Sequence, residues 1–296
     1  MKCWSEIRTA YAVARLGTVS AAAEDLKLHR ATVIRHIEVL ENELGIRVFH
    51  RHARGYTPTE TGLDLLRVAR TTEEQLIQFA GRAKGREAKI TGEIIITSLE
   101  IISPLVVRAL VRFRERYPET NVRYIAGGRL LNLSYGEAHI AVRAGEKPTH
   151  PDNVIRPFFD LYSTFYAHKS YVKKHGLPTP ENLSNHQFIS HEDPSRMPFF
   201  TWLENEVPTN SIILRSKSQQ VLMESLLAGM GIGFMPMYLA ENNSELVQIL
   251  SPKPKWFVPF WLVTHVDVHR TAKVQAISTF LQETANELAI FNAAQK

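Results

Sequence analysis

The stretch SAAAEDLKLHRATVIRHIEVLENELG, Ser20 to Gly45, holds two helical segments with only Lys27, Leu28 and His29 between them. In the second segment Val33, Ile37, Leu40 and Leu44 recur at spacings of four, three and four, which stacks them into one apolar stripe that must pack inward. At about 100° per residue the opposite side of the early turns carries Ala31, Ile34, Arg35 and Glu38, with Arg30 and Thr32 on its flanks. The first segment is short and alanine-rich. Ser20 is read as its N-cap, and Ala22, Ala23 and Leu26 are available for close packing. Two such helices joined by so short a turn form a helix-turn-helix, whose second helix can enter a major groove N-terminus first. An ordinary helical hairpin with a solvated basic face has the same pattern, so this stretch alone leaves both readings open.

The remainder of the chain bounds the choice. Its 296 residues, 44% hydrophobic and 22% charged, are enough for more than one core and predict two or three globular units. The net charge of +5 permits a polyanionic partner without requiring one. Cys3 stands alone and cannot close an intrachain disulfide. The N-terminus MKCWSEIRTAYAVARLG mixes charges into its apolar positions, unlike a signal peptide, so a cytoplasmic protein is expected. No apolar run approaches the roughly 20 residues that cross a bilayer, which predicts no membrane partner.

Downstream, GIRVFHRHARGYTPTETG places Val48 and Phe49 as apolar anchors and then His50, Arg51, His52 and Arg54 around a turn at Gly55. A basic β-turn beside a recognition helix is a wing, placed to touch phosphate or the minor groove. With this addition residues 1 to 62 resemble the DNA-binding domain of the LysR-type transcriptional regulators. The resemblance is carried by Ala22-Ala23, Leu26, Val33, Arg35, Ile37, Leu40-Glu41, Leu44-Gly45, Phe49, Arg51, Arg54-Gly55, Thr59 and Gly62. It implies a winged helix-turn-helix over residues 1–58 and promoter DNA as partner. Ser20, His29, Arg30, Ala31, Thr32, Ile34 and Arg35 form the implied contact face, and Arg51 and Arg54 hold the wing. Where the family commonly has Ser, Gln and Pro this chain has His29, Arg30 and Ala31, and Ile34 replaces a further Ser. Operator sequence therefore cannot be copied from relatives.

From Thr59 to about Lys84 the pattern predicts one long amphipathic helix, a linker assigned to 59–86. Leu66, Ala69, Leu76 and Ala80 lie on a heptad-like track that Leu65, Val68 and Phe79 widen. Packing against its own domain and pairing with a second subunit both fit such a stripe, and the resemblance implies pairing in a homodimer or homotetramer. Charged GREAKITG then marks a boundary near residues 86 to 92.

After residue 92 short β-branched runs alternate with stretches read as helical, including GRLLNLSYGE, the signature of an open α/β sheet. AGMGIGFMP and RFRERYP resemble the LysR-type effector domain, which implies two Rossmann-like subdomains like those of periplasmic binding proteins. The fold class expected is thus α/β with an N-terminal winged helix. Residues 92–296 form the effector part: subdomain I about 92–163 and 268–296, subdomain II about 164–267. The chain is expected to cross near 160 to 165 and return near 265 to 270. Positions matching the family's effector contacts are Ser98, Leu99, Glu100, Gly128, Arg129, Arg143, Ser216 and Ser218, with Tyr166 and His191 added from the second subdomain. Glu100 would repel a carboxylate unless Arg129 or Arg143 offset it, so a cationic or zwitterionic small molecule is kept in view.

Catalytic constellations are not found. His265 and His269 in HVDVH have helical zinc-ligand spacing, but the preceding run reads as a strand that His265 ends. ISHEDPS sets Ser190, His191, Glu192 and Asp193 side by side, whereas a triad is assembled from separate segments. GMGIG lacks dinucleotide-loop spacing. The expectation is a regulator without enzymatic activity, cofactor or metal; the rival readings are a solute-binding protein using the same cleft and a metal-dependent enzyme.

Overall fold

Helices as short as those of the N-terminal segment are marginal alone and persist by packing their apolar faces together. The computed structural model describes residues 3–52, 55–83, 90–179, 181–253 and 255–294. In it α1 (Trp4–Leu16), α2 (Val19–Leu26) and α3 (Arg30–Leu44) close around Val13, Ala22, Val33, Ile37, Leu40 and Val48. Ser20 is not the N-cap of α2. Thr18, in extended backbone, accepts the Ala21 N–H on its hydroxyl, and Ser20 is an exposed helical residue. The turn after α2 puts Lys27 at φ 55°, a left-handed conformation that an L side chain adopts only at a cost. A two-stranded wing, β1 (Phe49–His52) and β2 (Gly55–Pro58), follows.

The long helix α4 (Glu60–Ala83) starts where Thr59 accepts the Gly62 N–H and donates to the Arg47 carbonyl. Glycine is required at 62, because a Cβ there would lie 2.0 Å from the Val48 carbonyl oxygen. The expected boundary near 86 to 92 falls mostly outside the described residues.

In β3 (Gly92–Ser98) period-two alternation buries both faces. Ile94 and Ile96 enter a core with α5 (Ser103–Arg116) and α11 (Ala272–Ala294), while Ile95 packs on the other side with Leu131 and Val263. Strands β4 (Thr120–Ala126) and β5 (Ile140–Ala144) lie parallel to β3 on its two sides. GRLLNLSYGE, between them, is not helical. Glu137 accepts the Asn132 N–H, Asn132 accepts the Tyr135 N–H, and Gly136 turns with φ 63°, so local polar ties hold the segment as a loop.

The crossing is made by the 16-residue β6 (Asn153–His168). Beyond it come α6 (Lys169–His175), β7 (Phe188–His191), α7 (Pro198–Glu206), β8 (Ile212–Ser216), α8 (Gln219–Leu227), β9 (Gly233–Pro236), α9 (Met237–Ala240) and β10 (Leu246–Gln248). The second core, around Phe165, Phe188, Leu203, Leu226 and Ile232, belongs to this set. β11 (Phe257–His265) returns the chain, and α10 (Val266–His269) leads into α11. The return lies earlier than 265 to 270: Phe260 already pairs with Ala144 of β5, and Phe260 and Leu262 lie in the first core. One sheet, ordered β10-β6-β11-β5-β3-β4 with β9 also on β6, thus runs through both lobes.

Candidate functional site

Two surfaces concentrate functional groups. The first is the N-terminal tip of α3. Val33, Ile37 and Leu40 of its stripe are fully buried and Arg30, Ala31 and Arg35 are exposed, but Leu44, expected to pack inward, is exposed at the last turn beyond the headpiece core. His29 caps α3 with backbone only, and the first intrahelical bonds run from Thr32 and Val33 to its carbonyl. The N–H groups of the first turn therefore face outward with the positive end of the helix dipole. Thr32 is half-buried, and Ile34 is half-buried against the headpiece core, so neither is sealed. His36 turns inward, its Nδ1 2.8 Å from the Thr9 hydroxyl of α1.

Arg51 donates to Glu38 at 3.3 Å and to Glu41 at 2.9 Å, which fastens the wing to α3. Glu41, buried, also accepts the Val48 and Phe49 N–H groups, at 3.0 and 3.2 Å. Glu41 therefore joins recognition helix to wing, a role its position in the motif did not reveal. Arg54 lies outside the described residues.

On α4 the predicted track divides. Ala69 is buried and Leu66 half-buried, whereas Leu76, Val68 and Phe79 are exposed. The side chain of Ala80 is outside what is described. Trp4, Ile7 and Tyr11 of α1 face Leu65, Val68 and Leu76 across an apolar groove of about 690 Å³. The opposite flank of α4 docks on the effector part: Arg67 donates to the Tyr135 carbonyl, Arg70 pairs with Glu93, and Gln75 donates to the Asp267 carbonyl.

The second surface is a cleft of about 370 Å³ between the two lobes. Leu99, Glu100 and Gly128 line it from the first lobe, and His191 and Ser218 from the second, so five of the ten sequence-predicted residues converge there. Ser218 caps α8 by accepting the Val221 N–H. His191 Nδ1 lies 2.9 Å from both the N–H and the carbonyl oxygen of Asp193.

The other five are placed elsewhere. Ser98 is buried, its hydroxyl donating to the Leu99 carbonyl beside the Tyr124 hydroxyl. Ser216 accepts the Ser218 N–H in the turn before α8. Tyr166 is packed in the second core, where burial pushes its phenol up to about 12. Arg129 pairs with Glu137 at 2.8 Å, and Arg143 donates to the Leu131 carbonyl at 2.7 Å with its pKa lowered by burial. Neither arginine lines the cleft to offset Glu100.

What sequence reading missed is the cleft's apolar wall. Leu161, Met197, Phe199, Phe200, Phe234 and Phe260 come from β6, α7 and its approach, β9 and β11, with Ser163 on the floor and Lys217 at the rim. The period-two pair Leu161 and Ser163 on one face of β6 was the available signal. His265 ends β11 as expected and then accepts the Asp267 N–H as cap of α10. Among the described residues no group of three or more His, Cys, Asp or Glu is arranged to hold a metal, and no helix is long and apolar enough to cross a membrane.

Comparison with known proteins identifies both parts of the chain. Residues 4–63 match the family described as bacterial regulatory helix-turn-helix protein, lysR family, and residues 88–286 match the LysR substrate binding domain. The HTH-type transcriptional regulator CrgA of Neisseria meningitidis serogroup B is 28% identical, over 97% of this chain and 99% of its own. DmlR of Escherichia coli, another HTH-type transcriptional regulator, is 25% identical over 94% and 93%. Among solved structures, CrgA has a TM-score of 0.58 at 23% identity, covering 95% of this chain and 98% of its own. LysG of Corynebacterium glutamicum with bound effector Arg has a TM-score of 0.64 at 14% identity, covering 97% and 99%. At these identities the structural likeness establishes the fold alone.

Proposed function

The chain belongs to the LysR family of transcriptional regulators, and from that premise we propose that the tip of α3 reads duplex promoter DNA while a small molecule in the interlobe cleft adjusts the reading. The observation that carries this is the division of α3: one face fully buried, the other presenting Arg30, Ala31 and Arg35, with the Arg30 and Ala31 N–H groups ahead of the first intrahelical bonds. Guanidinium groups there suit phosphate or guanine, the helix end suits phosphate, and Ala31 and Ile34 suit the thymine methyl. Ser20, His29 and Thr32 flank this tip, and Arg51 and Arg54 support the wing.

The exposed apolar groove of α1 and α4 supports pairing with a second copy, as homodimer or homotetramer, which would space two α3 tips for a dyad-related site. Leu66, Ala69, Leu76 and Ala80 remain the proposed dimerisation positions. The described division into headpiece, linker and two-lobed effector part supports domains near 1–58, 59–86 and 92–296. A cytoplasmic location follows from action on the chromosome, and no catalysed reaction, cofactor or metal enters this reading. The solute-binding and metal-enzyme rivals gain no supporting observation.

Capture of genomic fragments by the purified full chain, followed by titration of the enriched duplex, tests the proposal. A dyad-symmetric sequence bound by wild type and weakened at least about ten-fold by Arg35→Ala is expected. No enrichment, or equal binding by the variant, removes the assignment.

A further inference from the structure

The cleft also carries information about what it binds, and this inference rests on reading it as the effector site. Its formally charged lining residues, Glu100 and Lys217, are both exposed, and Lys217 is already 3.8 Å from Glu192. No arginine lines the space among the described residues. Deeper in, the walls are the rings of Phe200, Phe234 and Phe260 with Leu161 and Val258.

Within that wall stands Ser163 on β6. The residue is only 5% exposed and lines the cleft, and its hydroxyl, bonded to no group among the described residues, opens to the cleft. Neighbouring Thr164, on the other face of the strand, is satisfied by the Leu250 carbonyl at 2.7 Å. A hydroxyl that opens to an apolar cavity without a protein partner is a group that a ligand oxygen can engage. The other deep polar group is the imidazole of His191, a residue 9% exposed, whose Nδ1 is engaged by Asp193.

A serine hydroxyl can satisfy a ligand hydroxyl or carbonyl oxygen, and an imidazole ring nitrogen can pair with a ligand hydroxyl. They are a poor substitute for the hydration of a carboxylate or ammonium, whose burial among rings carries a large desolvation cost. At about 370 Å³ the space lies near the lower end of small-molecule sites. We infer that the cleft takes a small ring-bearing compound that inserts its ring among Phe200, Phe234 and Phe260 and presents an uncharged hydroxyl or carbonyl oxygen to Ser163. Any charge on the ligand stays at the mouth, between Glu100 and Lys217.

Calorimetric titration of the full chain with phenol, benzoate, benzylamine and benzene tests this. Phenol is expected to bind most tightly, with a Kd of roughly 1 mM or below for so few atoms. Ser163→Ala, which changes volume little, should weaken phenol about five-fold and leave benzene unchanged, as removal of one hydrogen bond requires. Ser163→Phe and, at the half-buried start of α8, Gln219→Trp should each reduce phenol binding at least ten-fold, the second serving if the first does not fold. Tighter binding of benzoate or benzylamine that is also blocked by Gln219→Trp overturns the ligand class and keeps the cleft. Phenol binding untouched by every variant overturns the cleft itself as the site. Absence of binding by phenol, or equal phenol affinity in Ser163→Ala, overturns the inference.

Discussion

The tip of α3 and the interlobe cleft solve recognition in opposite ways. The tip is convex and continuous in sequence, one helix supplying both its own anchor and its contact face. The cleft is concave and assembled from the ends of β3, β4, β5, β7 and β8, from β6, β9 and β11, and from α7 with its approach. Stability is distributed differently as well. The headpiece has a small core fastened by a few polar ties, among them buried Glu41 and the Thr59 turn. The effector part has two larger cores joined by a sheet running through both. A single side chain should therefore weigh more in the headpiece, whereas the cleft should respond to changes that alter how its lobes meet.

The largest effect is expected at Gly62. Gly62→Ala drives a methyl against the Val48 backbone and should destabilise the headpiece by at least about 3 kcal/mol, seen as an early separate unfolding transition. A full-length chain that melts as one unit at the wild-type temperature would break the contrast. Next comes Glu41→Ala, which leaves the Val48 and Phe49 N–H groups and Arg51 without their carboxylate. About 2–3 kcal/mol should be lost from the same transition in denaturant titrations, with the effector part unmoved.

The effector part should show its own pH signature. His139 accepts the Ile95 N–H, and desolvation, with Lys273 and Arg70 nearby, holds its pKa down to about 3 against an ordinary 6.5. Between these values the unfolded chain takes a proton that the folded one refuses, so stability falls as pH drops below 6.5 and is unaffected above it. His139→Gln, which keeps an acceptor, should flatten the decline between pH 7 and 5 by about 2 kcal/mol. An unaltered slope removes His139 as its source. The smallest change is a gain: Lys27→Gly relieves left-handed backbone and should stabilise the headpiece by about 0.5–1 kcal/mol, raising its transition midpoint.

The same contrast decides what the sequence made legible. Winged helix, linker and α/β alternation are local patterns, and Val33, Ile37 and Leu40 reveal their burial by spacing alone. Ser20 failed as a cap because Thr18, two residues earlier, has the extended backbone that capping needs. GRLLNLSYGE looked helical until Asn132 and Glu137 bonded the backbone. In the cleft, Leu99, Glu100, Gly128, His191 and Ser218 converged because strand ends and helix starts gather there. Arg129 and Arg143 did not, since each found a partner on its own lobe that no spacing rule discloses. Ser163 and the phenylalanine wall stayed hidden because core and site use the same apolar residues.

The account depends most on the basic tip of α3 facing DNA. Its most direct test is the salt dependence of operator binding for wild type, Arg35→Ala and, as a control of equal charge, Arg112→Ala, whose guanidinium pairs with Glu283 and Glu287 far along the chain. Arg35→Ala should lower affinity at least about ten-fold and reduce the slope of log affinity against log salt by about 0.9, while Arg112→Ala leaves both near wild type. Identical affinity and slope in all three proteins would contradict it.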